Sequence, residues 1–289
     1  MKMNPISKKV KYLILFSLIC IIIAIISLSI LKQAPVIPII TNDDIKDNDK
    51  LISIDDAKES VIKFIDNKSG VISFSRNESL AENDYYIFMV ANDEYYVNMK
   101  TGVVECAIFQ VEAENDVNIT ESQAKDIGSK YLASKYPNLS GTNLTLVNIR
   151  LNDLEQRKEY SLEWRETIEG VETPNYAYIT ISPGTGTIIS YQGIYRPIVV
   201  DLKPCISREK AEEIAIGNLT KINAKIIDTH LLIKYIQQHG CWSQKLVWKV
   251  IVYGEPTSDD KVPSTFISHG GEALIDAQTG KLYASNYYR

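Results

Sequence analysis

The chain has 289 residues with 31 basic and 36 acidic side chains, a formal net charge of −5, and 45% hydrophobic residues. An acidic balance argues against nucleic acid or an anionic lipid surface as the main partner. The length is enough to bury one large core or several small ones.

The first element is an uncharged run, residues 12–31 (YLILFSLICIIIAIISLSIL). At 1.5 Å per residue a helix of this length spans roughly 30 Å, the thickness of a bilayer's hydrocarbon. Lys2, Lys8, Lys9 and Lys11 precede it, and Asp43, Asp44, Asp47 and Asp49 follow soon after Lys32. The positive-inside rule then keeps residues 1–11 in the cytoplasm and exports the rest, which carries a net charge of about −9 once those four lysines are set aside. A cleaved signal peptide is the competing reading. Against it, the run is longer than a usual signal core, and its small-x-small site, Ser27-Leu28-Ser29, still lies inside the apolar stretch. Cys20 follows Ile19 where a lipid-attachment motif wants a small residue, so it reads as a membrane-embedded cysteine.

Residues 32–50 change character, with Pro35 and Pro38 and then TNDDIKDNDK, and read as a spacer. After it one start signal, I-[ST]-x-x-x-A, occurs three times: Ile52-Ser53 with Ala57, Ile119-Thr120 with Ala124, and Ile206-Ser207 with Ala211. The hydroxyl residue is a natural helix N-cap, because its oxygen accepts a bond from an unpaired N–H one turn on. Thr120 with Gln123 completes a capping box, whereas Asp56 and Lys210 stand at that place in the other copies, so the box is not general. Ala57, Val61, Phe64 and Ile65 put apolar groups on one helical face, and Ala124, Ile127, Tyr131, Leu132 and Ala211, Ile214, Ala215, Leu219 do nearly the same.

Each copy closes on [VI]-[NSD]-x-x-T-G-x-[VIL]: Val97-Asn98 to Gly102 and Val104, Ile181-Ser182 to Gly186 and Ile188, Ile275-Asp276 to Gly280 and Leu282. This predicts a strand, a turn with glycine at positive φ, and a return strand. Between start and close, residues 85–90, 160–164, 176–181 and 246–253 read as strands. The predicted class is therefore α+β: an N-terminal transmembrane helix, then tandem units of one helix packed on an antiparallel sheet, at 51–112, 113–200 and 201–289.

The helix start, a middle strand such as Leu246-Val247-Trp248-Lys249-Val250, and the closing Leu274-Ile275-Asp276-Ala277-Gln278-Thr279-Gly280-Lys281-Leu282 together resemble the PepSY domain family, in three divergent copies. The third copy matches well, the second moderately, and the first is short. The resemblance covers about residues 51–289. It implies a helix on an antiparallel sheet, a bacterial envelope setting, and roles in inhibiting peptidases or binding other proteins, with no catalytic residues to carry over. A tandem behind one anchor is also similar to proteins that restrain membrane sensor kinases and to spore germination proteins.

His230, His239 and His269 are the three histidines, and no two lie four residues apart as a helical zinc pair requires. His239-Gly240-Cys241 places a thiol near an imidazole, but two residues apart in a glycine turn seldom hold nucleophile geometry. Ser60-Val61-Ile62-Lys63 with Lys100-Thr101-Gly102 imitates the SxxK and KTG pair of serine acyltransferases, yet too few residues separate them for the domain that family places between. Ser182-Pro183-Gly184-Thr185-Gly186-Thr187 lacks the lysine of a phosphate loop and aligns with the other turns. Cys106, Cys205 and Cys241 lie outside the anchor and allow at most one internal disulfide. Tyr85, Tyr86, Tyr95, Tyr96, Tyr176, Tyr178, Trp242, Trp248, Tyr287 and Tyr288 crowd the predicted strands, as sheet packing or as a partner surface.

The expectation is a non-enzymatic, membrane-anchored extracytoplasmic protein, with no catalytic, cofactor or metal residues and no cofactor. Its expected partner is another envelope protein, for instance a peptidase, a membrane sensor or a germination apparatus. An envelope spacer, or a hydrolase with an unmotifed site, is the alternative.

Overall fold

The computed structural model describes residues 51–287 apart from 67–69, 113–114, 138, 155–156, 220–222 and 255–269. The N-terminus at 1–11, the apolar run at 12–31 and the spacer at 32–50 lie outside the described residues. No helix among the described residues is long and apolar enough to cross a membrane.

Helix α1 (Ile54–Phe64) leads into β1 (Ile72–Leu80), β2 (Asn83–Val90), β3 (Asp93–Asn98) and β4 (Val104–Ile108). Helix α2 (Glu121–Lys135) leads into β5 (Leu144–Leu154), β6 (Arg157–Ile168), β7 (Val171–Ile181) and β8 (Ile188–Ile194). Helix α3 (Arg208–Asn218) leads into β9 (Lys225–Gln238), β10 (Cys241–Tyr253), β11 (Gly270–Asp276) and β12 (Leu282–Tyr287). The three expected hydroxyl residues cap the three helices: the side chains of Ser53, Thr120 and Ser207 accept from the backbone N–H groups of Asp56, Gln123 and Lys210. The capping box is not confined to the second copy, because the Asp56 carboxylate also accepts from Ser53 N–H at 3.4 Å. An acidic side chain one residue type away from the usual Glu or Gln makes the same reciprocal bond.

The expected tandem of separate helix-on-sheet units is corrected by the strand pairing. The twelve described strands form one sheet, with the order β1-β2-β3-β4-β8-β7-β9-β10-β11-β12, and β6 and β5 branching from β7. Strand β4 pairs antiparallel with β8 through Cys106↔Gln192, Ala107↔Tyr191 and Ile108↔Ser190. Strand β9 joins β7 in parallel at Glu172↔Leu232. Among the described residues the sheet is therefore mixed and dominates, with α1, α2 and α3 laid on it. Isolated units would leave the backbone groups of β4 and β8 unpaired at open edges, and joining the edges satisfies them.

The first two helices share one core. Ala57, Val61, Phe88 and Val97 belong to the same buried cluster as Leu132, Leu162, Ile179 and Tyr191. Edge-to-face and tilted contacts run from Phe64 to Tyr191 to Tyr131 to Phe109 to Tyr95, so aromatic rings knit the two segments together. The third helix buries Ala211, Ala215 and Leu219 in a separate cluster with Val250, Val252 and Ile275. Gly128 allows α2 to lie close on β6, since a Cβ there would come within 2.9 Å of Leu162.

Candidate functional site

The two sequence motifs meet in space as the halves of one lock, built three times. Ile52 N–H donates to Met99 O, Ile119 N–H to Pro183 O and Ile206 N–H to Ala277 O, which ties each helix start to the closing turn of its own segment. The carbonyl of the same isoleucine then accepts from an aromatic side chain on the second strand. The donors are Tyr86 Oη at 3.1 Å, Tyr160 Oη at 3.2 Å and Trp248 Nε1 at 2.8 Å.

The turn residues are accounted for in the same way. Asn98 Oδ1 accepts from the N–H groups of Lys100 and Thr101, Asp276 Oδ1 from those of Gln278 and Thr279, and Ser182 Oγ from that of Thr185. Thr101, Thr185 and Thr279 each accept from the N–H two residues on. Gly102, Gly186 and Gly280 have φ of +70°, +75° and +76°, and the isoleucine side chain of the helix start lies over each. Every recurring position of the two motifs thus makes an internal contact.

A buried polar node links the first two segments. Glu105 on β4, 1% exposed, receives both arms of the Arg196 guanidinium, at 2.6 Å and 3.0 Å, and the Tyr85 hydroxyl at 2.8 Å. Arg196 also donates to Asn83 Oδ1, and its backbone N–H donates to Asn175 Oδ1. Asn175 Nδ2 in turn donates to Glu166 at 2.7 Å, and Thr173 Oγ1 to the same oxygen at 2.8 Å. Burial, then the Glu105 carboxylate, pushes the Tyr85 phenol well above its ordinary range. With both Glu105 oxygens engaged, the node is suited to holding strands together and not to proton transfer. Periodicity gave no warning of it: a glutamate between Val104 and Cys106 and an arginine between Tyr195 and Pro197 look like surface charges.

The structure does bring Ser60 beside Gly102, so the two halves of the SxxK and KTG lookalike meet. Ser60, Lys63, Phe64, Asp66, Gly102 and Lys135 help line a cleft of about 260 Å³. Ser60 Oγ, however, donates to Asp56 O inside α1, and Thr101 Oγ1 accepts from Val103 N–H in the turn. Lys135 Nζ donates to Phe64 O and to Asp66 Oδ2, so that ammonium bridges the C-terminal ends of α1 and α2. A second cleft of about 290 Å³ lies by Val200, Gln244, Leu246, Asp276 and Gln278.

His239 and Gly240, both at positive φ, form the tight turn between β9 and β10, with Cys241 exposed at its end. That pair sits at an open hairpin tip and no described cleft encloses it. His230 Nδ1 lies 2.8 Å from Asp228 Oδ2 on β9, and His269 falls outside the described residues. Among the described residues no three His, Cys, Asp or Glu side chains group as a metal site, and no disulfide joins any two of Cys106, Cys205 and Cys241. Of the strand aromatics, Tyr86 and Tyr95 are in the helix-covered core, Tyr85 and Tyr96 form a second buried cluster with Ile87, and Trp242 is exposed at the hairpin tip. Tyr288 lies outside the described residues.

No family model and no curated protein matches the sequence. Among solved structures, the chain is similar to the Bacillus megaterium YpeB C-terminal domain, at 19% identity and a TM-score of 0.43, over 83% of this chain and 99% of that one. It is also similar to a candidate lipoprotein of Clostridium difficile 630, at 12% identity and a TM-score of 0.21, over 61% of this chain and 97% of that one. At TM-scores this low neither match defines the fold.

Proposed function

We propose that this is a non-enzymatic, membrane-anchored protein of the cell envelope that binds and regulates another envelope protein. The observation that supports the reading most is the threefold lock: the residues that recur along the chain are occupied by internal bonds. The outward surface, including the Trp242 hairpin tip and the edge strands β1, β5 and β12, takes no part in these bonds. A scaffold whose recurring residues are engaged internally leaves its surface for recognition. The charge step across residues 12–31 and the PepSY resemblance support the envelope placement.

The test is photo-crosslinking in the native envelope from probes placed at Trp242, Phe74 and Leu151. One reproducible adduct, lost when the probed surface is substituted but kept in a distant surface variant, is the expected result. Absence of any reproducible adduct from all three positions would count decisively against partner binding.

A further inference from the structure

The seam between β7 and β9 differs from every other junction in the sheet. Strands β4 and β8 are backed by a core that both helices share, whereas β9 meets β7 at one parallel pairing, Glu172↔Leu232. The apolar cluster at the seam contains Val171 from the first side, while Ile233, Leu246 and Ala277 come from the second. Its remaining members include Ile198, Val200 and Leu202 from the connecting strap, which alternate inward and travel with the second side. The core of α3 with β10 and β11 is complete without any residue before Ile206.

The strap is pinned on both sides of one peptide bond. Arg196 belongs to the first body through Glu105, Asn83 and Asn175. Pro197 already belongs to the second, because Gln244 Nε2 donates to Pro197 O at 2.8 Å. The same amide accepts from Val199 N–H at 3.0 Å, so the Gln244 side chain acts as a short backbone partner for the strap. Gln278 Nε2 fixes the strap further on, at Lys203 O.

We infer that the seam is a hinge, with the chain crossing it at Arg196-Pro197, and that residues 197–287 swing as one body against residues 51–196. Opening exposes Val171 and breaks the Glu172 and Leu232 pairing, while the bonds of Gln244, of the α3 core and of the Glu105 node stay inside their own bodies. A junction held by one strand pairing and by one buried side chain from the first side opens before either core does.

Distance distributions between spin labels on the full-length chain in detergent micelles test this, with the four native cysteines replaced by serine. Labels at Val147→Cys and Ile227→Cys span the seam, and labels at Phe74→Cys and Val147→Cys lie within the first body. The hinge predicts a broad or two-peaked distribution across the seam and a narrow one within the body. Two equally narrow distributions, or a broad one within the body, overturn it. Val171→Ala should raise the open fraction about tenfold, and an unchanged fraction overturns the assignment of the seam. On the unmodified chain, hydrogen exchange at the amides that bond across the seam beside Glu172 and Leu232 should proceed through an opening that leaves Ile179 and Ile275 protected. Exchange of the seam amides and of Ile179 and Ile275 through a single opening would overturn it.

Discussion

Glu105 on β4 and Arg196, 91 residues further along, form a two-armed ion pair that is almost wholly buried, with side-chain exposures of 2% and 9%. The pair joins a strand of the first segment to the end of the second. Removing one partner strands the other charge in the interior. Arg196→Met should therefore lower stability by about 3–5 kcal/mol, measured by urea unfolding of the full-length chain. Arg196→Met combined with Glu105→Leu should cost less than the sum of the two single changes.

Two glycines at positive φ separate backbone strain from steric fit. Gly170 has φ +82° and open space where a methyl would sit, with nothing within 4 Å, whereas Gly186 has φ +75° and Ile127 Cδ1 at 2.9 Å from that position. Gly170→Ala should cost about 1 kcal/mol from the backbone alone. Gly186→Ala adds a clash between turn and helix and should cost roughly 2–3 kcal/mol, read from the shift in the denaturation midpoint.

The aromatic donors of the three locks are separable from their packing. Tyr160→Phe keeps the ring and deletes the bond to Ile119 O, and Tyr86→Phe does the same at Ile52 O. Each should lose about 1 kcal/mol. Trp248→Phe also removes ring area and should lose more. Thermal unfolding of the three variants checks that order.

Lys135 has a side chain only 10% exposed, while its ion-pair partner Asp66 is 71% exposed. The bond to Phe64 O therefore matters more than the salt bridge. Lys135→Met should cost about 1–2 kcal/mol, and Asp66→Asn less than about 0.5 kcal/mol. Equal losses in a salt-dependent unfolding series would show that the ion pair dominates.

Burial works against the Asp276 carboxylate, but the Tyr283 hydroxyl and the N–H groups of Thr279 and Gln278 outweigh it and hold its pKa below the ordinary value. A depressed folded-state pKa gives stability that is present above the unfolded value of about 4 and fades as pH falls through the folded one. The third segment should thus lose stability below about pH 4. Asn98, at the same place in the first segment, is neutral and should contribute no such slope. Asp276→Asn should flatten the acid limb of stability against pH, and an unchanged limb would locate the titration elsewhere.

The local elements follow from neighbouring residues alone. Ser53, Thr120 and Ser207 cap the helices because a hydroxyl one turn before an apolar face can do little else. The Thr-Gly turns form because glycine alone takes their φ without strain. Residues 85–90, 160–164, 176–181 and 246–253 all fall within strands, since alternation and aromatic content are local signals. How those elements combine depends on contacts between residues far apart in the chain. The joining of β4 to β8 and of β9 to β7 depends on edge bonds between residues 60 to 90 positions apart, such as Cys106↔Gln192 and Glu172↔Leu232. Backbone hydrogen bonding carries no side-chain signature, so one sheet and three separate ones read alike in sequence. Glu105, Arg196 and Gln244 were invisible for the same reason: a polar side chain shows its burial through partners that folding alone brings within reach.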